Sequence, residues 1–311
     1  MASARALLYL VLAPIIVTPF VMNSTILVLA NFPEATEHTA RVAAALGAPL
    51  HLPLVLLHLD VYPVMLEPEL VAASAEQTAC NEAETVAGLR ALARRLPGLT
   101  QVAESAGILC DAVEAAVARY HPLLLVMGLS PEHDLLDHWL HNQVQPVLRA
   151  THRPLLLVPE NYNLAAPGPP RRVLLALDAE PFCLNAAAKA LVPLLAAWQA
   201  AFTVAHVVTG QEPEANPGRM ALADVRASGL LPPDAPLWLY QEPNDKPAAG
   251  VLQAIADTQA DVVVLLARPR NFLGRLFHRS VTSQVLRHSP VPVLLVPVDA
   301  PELPGWMPPM S

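Results

Sequence analysis

"VLRATHRPLLLVP", residues 147–159, and "VLRHSPVPVLLVP", residues 285–297, are two versions of one pattern: the end of a helix, a turn, and an apolar strand closed by proline. The second follows the first by 138 positions, and the same 138 separates "VMGLSP" at 126 from "VLLARP" at 264. Upstream, "DAVEAAVARY" from Asp111 pairs at that offset with "AGVLQAIADT" from Ala249, both with apolar residues at helical spacing. An ungapped match through a strand, a loop, a helix and a strand reads as a tandem duplication.

The two copies also open alike. "TILVLANFPEATEHTARVAAALGAPLHLPLVLLHLDV" and "RRVLLALDAEPFCLNAAAKALVPLLAAWQAAFTVAHVV" both read as buried strand, short turn, helix and a second apolar strand with a histidine, His58 or His206, near its end. Continuous apolar strands alternating with helices predict an α/β chain: a mostly parallel sheet covered on both faces, with right-handed crossovers. The stretch "NYNLAAPGPPRR" carries three prolines and a glycine where the pattern lapses. The expected division is a first domain over 22–160, a linker over 161–170, a second domain over 171–300 and a tail over 301–311.

The chain has 311 residues, of which 54% are hydrophobic and 15% charged, with a formal net charge of -8. Such a charge argues against nucleic acid as a partner, because phosphate neutralisation needs a basic excess. Three widely spaced cysteines, Cys80, Cys110 and Cys183, fit neither a disulfide framework nor a zinc knuckle, and the expected compartment is the reducing cytoplasm. The apolar run from Ala6 to Met22 is broken by Pro14 and Pro19. It is too short for a membrane helix and lacks a small-x-small cleavage site, so residues 1–21 are read as an extension from an upstream start, with export or anchoring as the alternative.

The order "VLLALD", a helix, "VAHVV", a charged helical region, "DVVVLLA", a loop and "SVTSQVLRHSPVPVLLVP" resembles a universal stress protein domain, and the first copy follows the same course less closely. The resemblance runs from Asn23 to about Ala300 and is most specific in the last third of each copy. It implies two flavodoxin-like (Rossmann-like) domains, each with a five-stranded sheet, that pair through their last strands. Two domains in one chain would then form an internal pseudo-dimer, with a further homo-oligomer left open. In one branch of the family it implies ATP as ligand, held by G-x-x-G, nine residues, then G and S or T.

Such a loop needs glycines, which turn at positive φ and bring backbone N–H groups against phosphate ahead of a helix N-terminus. At the matching positions the second copy has Leu266, Pro269, Arg279 and Ser280, and the first has Gly128, Pro131, His141 and Asn142. Of the glycine positions only Gly128 is glycine, and proline at the second removes an amide donor in both copies. The acidic residue that meets the adenosine part corresponds to Asp178 in the second copy and to Asn31 in the first. An aspartate leaving a strand also caps the following turn.

Four arginines, Arg268, Arg270, Arg275 and Arg279, crowd this loop, either as a solvated rim or as an anion site. Phe272, Leu273, Leu276 and Phe277, matched by Leu135 and Trp139, are expected to seal "NFLGRLFHRS" onto the sheet as a packed lid. His133, Asp137 and His141 fall at i, i+4 and i+8, which spreads them about 12 Å along a helix and favours a polar face over a metal site. "GLSPE" at 128–132 lacks the second glycine of a nucleophile elbow, no G-x-G-x-x-G follows either first strand, and Cys110 and Cys183 are expected to be packed in apolar helical surroundings. The expectation is a non-enzymatic stress-response module without cofactor, acting through a protein partner or small ligand. The alternative is a weakly ATP-hydrolysing protein that uses Asp178, Ser280 and the arginine loop.

Overall fold

A computed structural model describes residues 24–30, 33–60, 68–129, 139–163, 168–208, 216–268 and 280–300. The first part of the chain holds β1 (Thr25–Ala30), α1 (Pro33–Gly47), β2 (Leu54–Asp60), α2 (Pro68–Arg95), β3 (Thr100–Ala106), α3 (Leu109–Tyr120) and β4 (Pro122–Leu129). A π-turn at Leu140–Val144 leads into α4 (Gln145–Thr151) and β5 (Leu155–Pro159). The second part holds β6 (Arg172–Ala176), β7 (Cys183–Leu184), α5 (Ala186–Ala190), α6 (Val192–Ala197), β8 (Ala201–Val208) and α7 (Pro217–Ser228). It closes with β9 (Leu237–Pro243), α8 (Pro247–Thr258), β10 (Val262–Ala267), α9 (Val281–His288) and β11 (Val293–Asp299).

The strands form one sheet in the order β3-β2-β1-β4-β5-β11-β10-β6-β8-β9, with β7 paired to the end of β11. Every neighbouring pair along that path is parallel except β5 with β11, which runs antiparallel and sets Leu156 opposite Leu294. The sheet therefore has two halves, whose strand carboxyl ends face opposite edges. Both faces are covered, and alternate residues of one strand enter opposite cores: Ile26 and Val28 lie on one side and Leu27 and Leu29 on the other. At the seam, Leu155–Val158 and Val293–Val296 are fully buried, which accounts for their unbroken apolar composition.

Helix starts follow local chemistry. Asn185 accepts from the Ala188 N–H at 2.7 Å, Asn216 from Arg219 at 3.1 Å just ahead of Pro217, and Ser280 from Ser283 at 3.1 Å. Parts of the backbone recur at the 138-residue offset. Helices α3 and α8 span equivalent residues and end in the left-handed region at His121 (φ 46°) and Gln259 (φ 50°). Earlier in each half, His51 and Gln199, both at φ 51°, precede β2 and β8. Their separation exceeds 138 because α2 has 28 residues where α7 has 12.

Three readings of the sequence need correction. The region between β8 and β10 is not helical throughout: β9 lies between α7 and α8, as β3 lies between α2 and α3. No short turn follows β6, because the chain passes through Ala179 (φ 59°) and pairs β7 with Val298–Asp299 before its helix, itself divided into α5 and α6 ahead of Pro193. Cys183 lies exposed on β7, not in a packed helix, whereas Cys110 is half-buried in the first turn of α3. Burial, then Asp111 and Glu114, push the Cys110 thiol up, which keeps it protonated and a poor nucleophile.

Candidate functional site

The strand ends of β6, β8 and β10 and the start of α9 enclose a cleft of about 600 Å³. It lies where an open α/β sheet binds its ligands, outside the carboxyl ends of the strands. Its floor is apolar, from Ala176, Ala205, Leu265 and Val251, and its polar groups are Asp178, His206, Ser280 and Thr282. Helix α8 comes down close to β8 because residue 250 is glycine: a Cβ there would stand 2.6 Å from a Val207 methyl.

The site residues read from the second copy converge in part. Asp178, Leu266 and Ser280 line this cleft together, while Pro269 and Arg279 lie outside the described residues, as do Arg270, Arg275 and the lid expected over 271–279. Ser280 caps α9, so its oxygen is engaged by Ser283 N–H and its own carbonyl by the Ser283 hydroxyl at 3.0 Å. In the first half, Gly128 is half-buried on β4 opposite Val158, and His141 and Asn142 lie exposed on the π-turn. Asn31, Pro131, His133, Leu135 and Asp137 are outside the described residues. Trp139 packs half-buried against the core, as the stripe predicts. Among the described residues no His, Cys, Asp and Glu cluster suits a metal ion.

Arg268 departs from both of its readings, since it is neither a solvated rim charge nor a cation open to an anion. Its side chain is only 7% exposed. Nη2 donates to Asp178 Oδ1 at 2.8 Å and to the Glu180 carbonyl at 2.6 Å, and Nη1 donates to the Pro181 carbonyl at 2.9 Å. Nε is buried 3.8 Å from Glu180 Oε2 without a hydrogen bond. The guanidinium fork thus holds down the segment between β6 and β7. Asp178 Oδ1 also accepts from the Glu180 N–H at 3.2 Å, closing an Asx turn. The capping role is therefore present, and the carboxylate's charge is neutralised by Arg268.

His206 belongs to this site although the spacing argument did not single it out. It is buried at the end of β8, with Nδ1 3.2 Å from the Leu177 carbonyl. His58 stands in the same relation to the Ala30 carbonyl at 3.3 Å. The signal was in the sequence: each copy carries a histidine at the end of its second strand, where an apolar residue would otherwise fit.

An α/β sheet in two halves, with a cleft at the strand ends, defines the class, and comparison with known proteins shows what the chain is similar to. Residues 243–297 match the sequence model of the Universal stress protein family. A universal stress protein from Archaeoglobus fulgidus has the same fold, with a TM-score of 0.58 and 15% identity over 89% of this chain and 97% of that one. A second such structure, from Pseudomonas aeruginosa, gives a TM-score of 0.50 and 14% identity over 90% and 95% of the two chains. No curated protein sequence matches the chain. Among the described residues no helix is long and apolar enough to cross a membrane.

Proposed function

We propose that this is a tandem, non-enzymatic universal stress protein of the cytoplasm, whose second-half cleft does not hold ATP in the family's manner and which acts through a protein partner or a small ligand. The observation that carries this reading is the engagement of Asp178 Oδ1 by the buried Arg268 fork, which ties one oxygen of the carboxylate that would otherwise meet a nucleoside to the β6–β7 segment. Pro131 and Pro269 support it from the sequence, since each removes a backbone donor where phosphate would be cradled. The antiparallel ladder between β5 and β11 supports an internal pseudo-dimer.

The reading is tested by titration calorimetry with magnesium ATP on the full chain. The expected outcome is no binding tighter than about 100 μM, an affinity that would need roughly 5.5 kcal/mol of net interaction. Micromolar binding that vanishes in Asp178→Ala would favour the second reading, an ATP-binding and weakly ATP-hydrolysing protein. That reading has one observation in its favour: Ser280 and the N-terminus of α9 border an open cleft of about 600 Å³.

A further inference from the structure

A second crevice, of about 540 Å³, lies away from this cleft, between α1, the end of α2 and the chain that follows β5. It shares Val42, Ala45 and Tyr162 with an adjoining hollow of about 270 Å³ whose far wall, Asp261, Val262 and Pro292, belongs to the other half of the sheet. The two hollows adjoin at these shared residues.

The crevice has an apolar floor and a cationic rim. Val42, Ala45 and Leu96 supply the floor. At the rim, Arg41 and Arg95 converge on a single carboxylate, with Nη2 of Arg41 2.6 Å from one oxygen of Glu37 and Nη2 of Arg95 3.1 Å from the other. One anion between two guanidiniums leaves positive charge in excess. Each arginine side chain is 62% exposed and carries five donors, more than Glu37 occupies. On α1, one turn before Arg41, His38 meets Tyr162 of the facing wall edge to face, with ring centroids 6.3 Å apart. Burial, and then Asp261, push the Tyr162 phenol up, so that it stays neutral and does not repel an anion.

We propose that this crevice binds a small organic anion, a carboxylate or phosphate ester with an apolar body. The anionic end lies between Arg41 and Arg95, and the body lies over Val42 and Leu96 against Tyr162. The volume falls within the usual range of small-molecule sites, and a few convergent polar groups over an apolar surface are their usual composition.

The test uses the full chain titrated at low salt with two probes, phenylacetate and phenyl phosphate, by ligand-observed NMR. At least one probe should bind saturably, with a dissociation constant below about 1 mM. The stronger of the two tells whether the natural anion is a carboxylate or a phosphate ester. Combining Arg41→Gln with Arg95→Gln should weaken binding at least tenfold, while Glu37→Gln, which frees both guanidiniums, should tighten it severalfold. If the double variant fails to fold, the Glu37→Gln result decides alone. No saturable binding of either probe, or affinities unmoved by the arginine and Glu37 substitutions, would overturn the proposal.

Discussion

Trp198, at the end of α6, donates its indole N–H to the carbonyl of Leu46 at 2.9 Å, across the line where the two halves of the sheet meet. Both residues are buried and belong to one core cluster, which runs from Ile26 of the first half to Val264 of the second. A second bond, from Asn185 Nδ2 to the His152 carbonyl at 3.2 Å, ties the halves near the outer end of the seam. Trp198→Phe leaves the Leu46 carbonyl buried and unpaired, and should cost about 1–3 kcal/mol. Trp198→Ala adds a cavity and should cost about 3–5 kcal/mol. Urea unfolding followed by circular dichroism checks both.

The seam should also govern the shape of the molecule in solution. Leu294 sits fully buried opposite Leu156, so Leu294→Asp would put a carboxylate between two apolar faces. The expected outcome is loss of the folded state, or a destabilisation above about 4 kcal/mol. For the unaltered chain, small-angle scattering should give the profile of one body. Two separately tumbling bodies would contradict the internal pseudo-dimer.

Arg268→Ala should be among the more costly single substitutions near the cleft. It removes hydrogen bonds to Asp178, Glu180 and Pro181 at once and takes this donor from two backbone carbonyls of the β6–β7 segment. A loss of about 2–4 kcal/mol is expected. Arg268→Lys should recover only part of it, since one ammonium cannot reproduce the fork. Asp178→Asn keeps the Asx-turn oxygen and acts on a carboxylate that is 48% exposed, so a cost of about 1 kcal/mol is expected.

Alkaline stability should depend on Tyr240. Its hydroxyl donates to Asp257 Oδ2 at 2.6 Å, and burial, the bond to Asp257 and the charges of Asp257 and Glu242 push its pKa from 10.0 up to about 12. A folded-state pKa raised above the unfolded one contributes stability that is full below about pH 10 and lost as pH rises through about 12. Tyr240→Phe should flatten the fall in stability across that window. Urea midpoints measured from pH 9 to pH 12 would show it, and equal slopes in the two proteins would refute it.

The elements legible in the sequence are those whose burial comes from both faces. β1, β5, β10 and β11 are unbroken aliphatic runs because helices cover each side of them, and α3 and α8 declare themselves through the shared offset. β3 and β9 were not legible, because they are the outermost strands. "TQVAESA" buries only Ala103 and "LWLYQEP" buries nothing fully, so neither shows the apolar run that marks a strand in the interior. In the site, Asp178, Leu266 and Ser280 came from matching the chain, position by position, to the motif of the resembled family. Arg268 did not, because its burial is made by a segment 87 to 90 residues earlier in the chain, and in the sequence it stands as one basic residue among four.

The antiparallel seam has an evolutionary consequence. In an assembly of two identical subunits every inherited change appears at both symmetry-related positions, so one site cannot drift while its twin is preserved. Here the carboxyl-end edges of the two halves face opposite ways and are encoded by separate codons. Gly128 stands where the other half has Leu266, and Asn31 where the other half has Asp178. Selection can act on either edge alone, so the two edges of a single polypeptide can diverge independently.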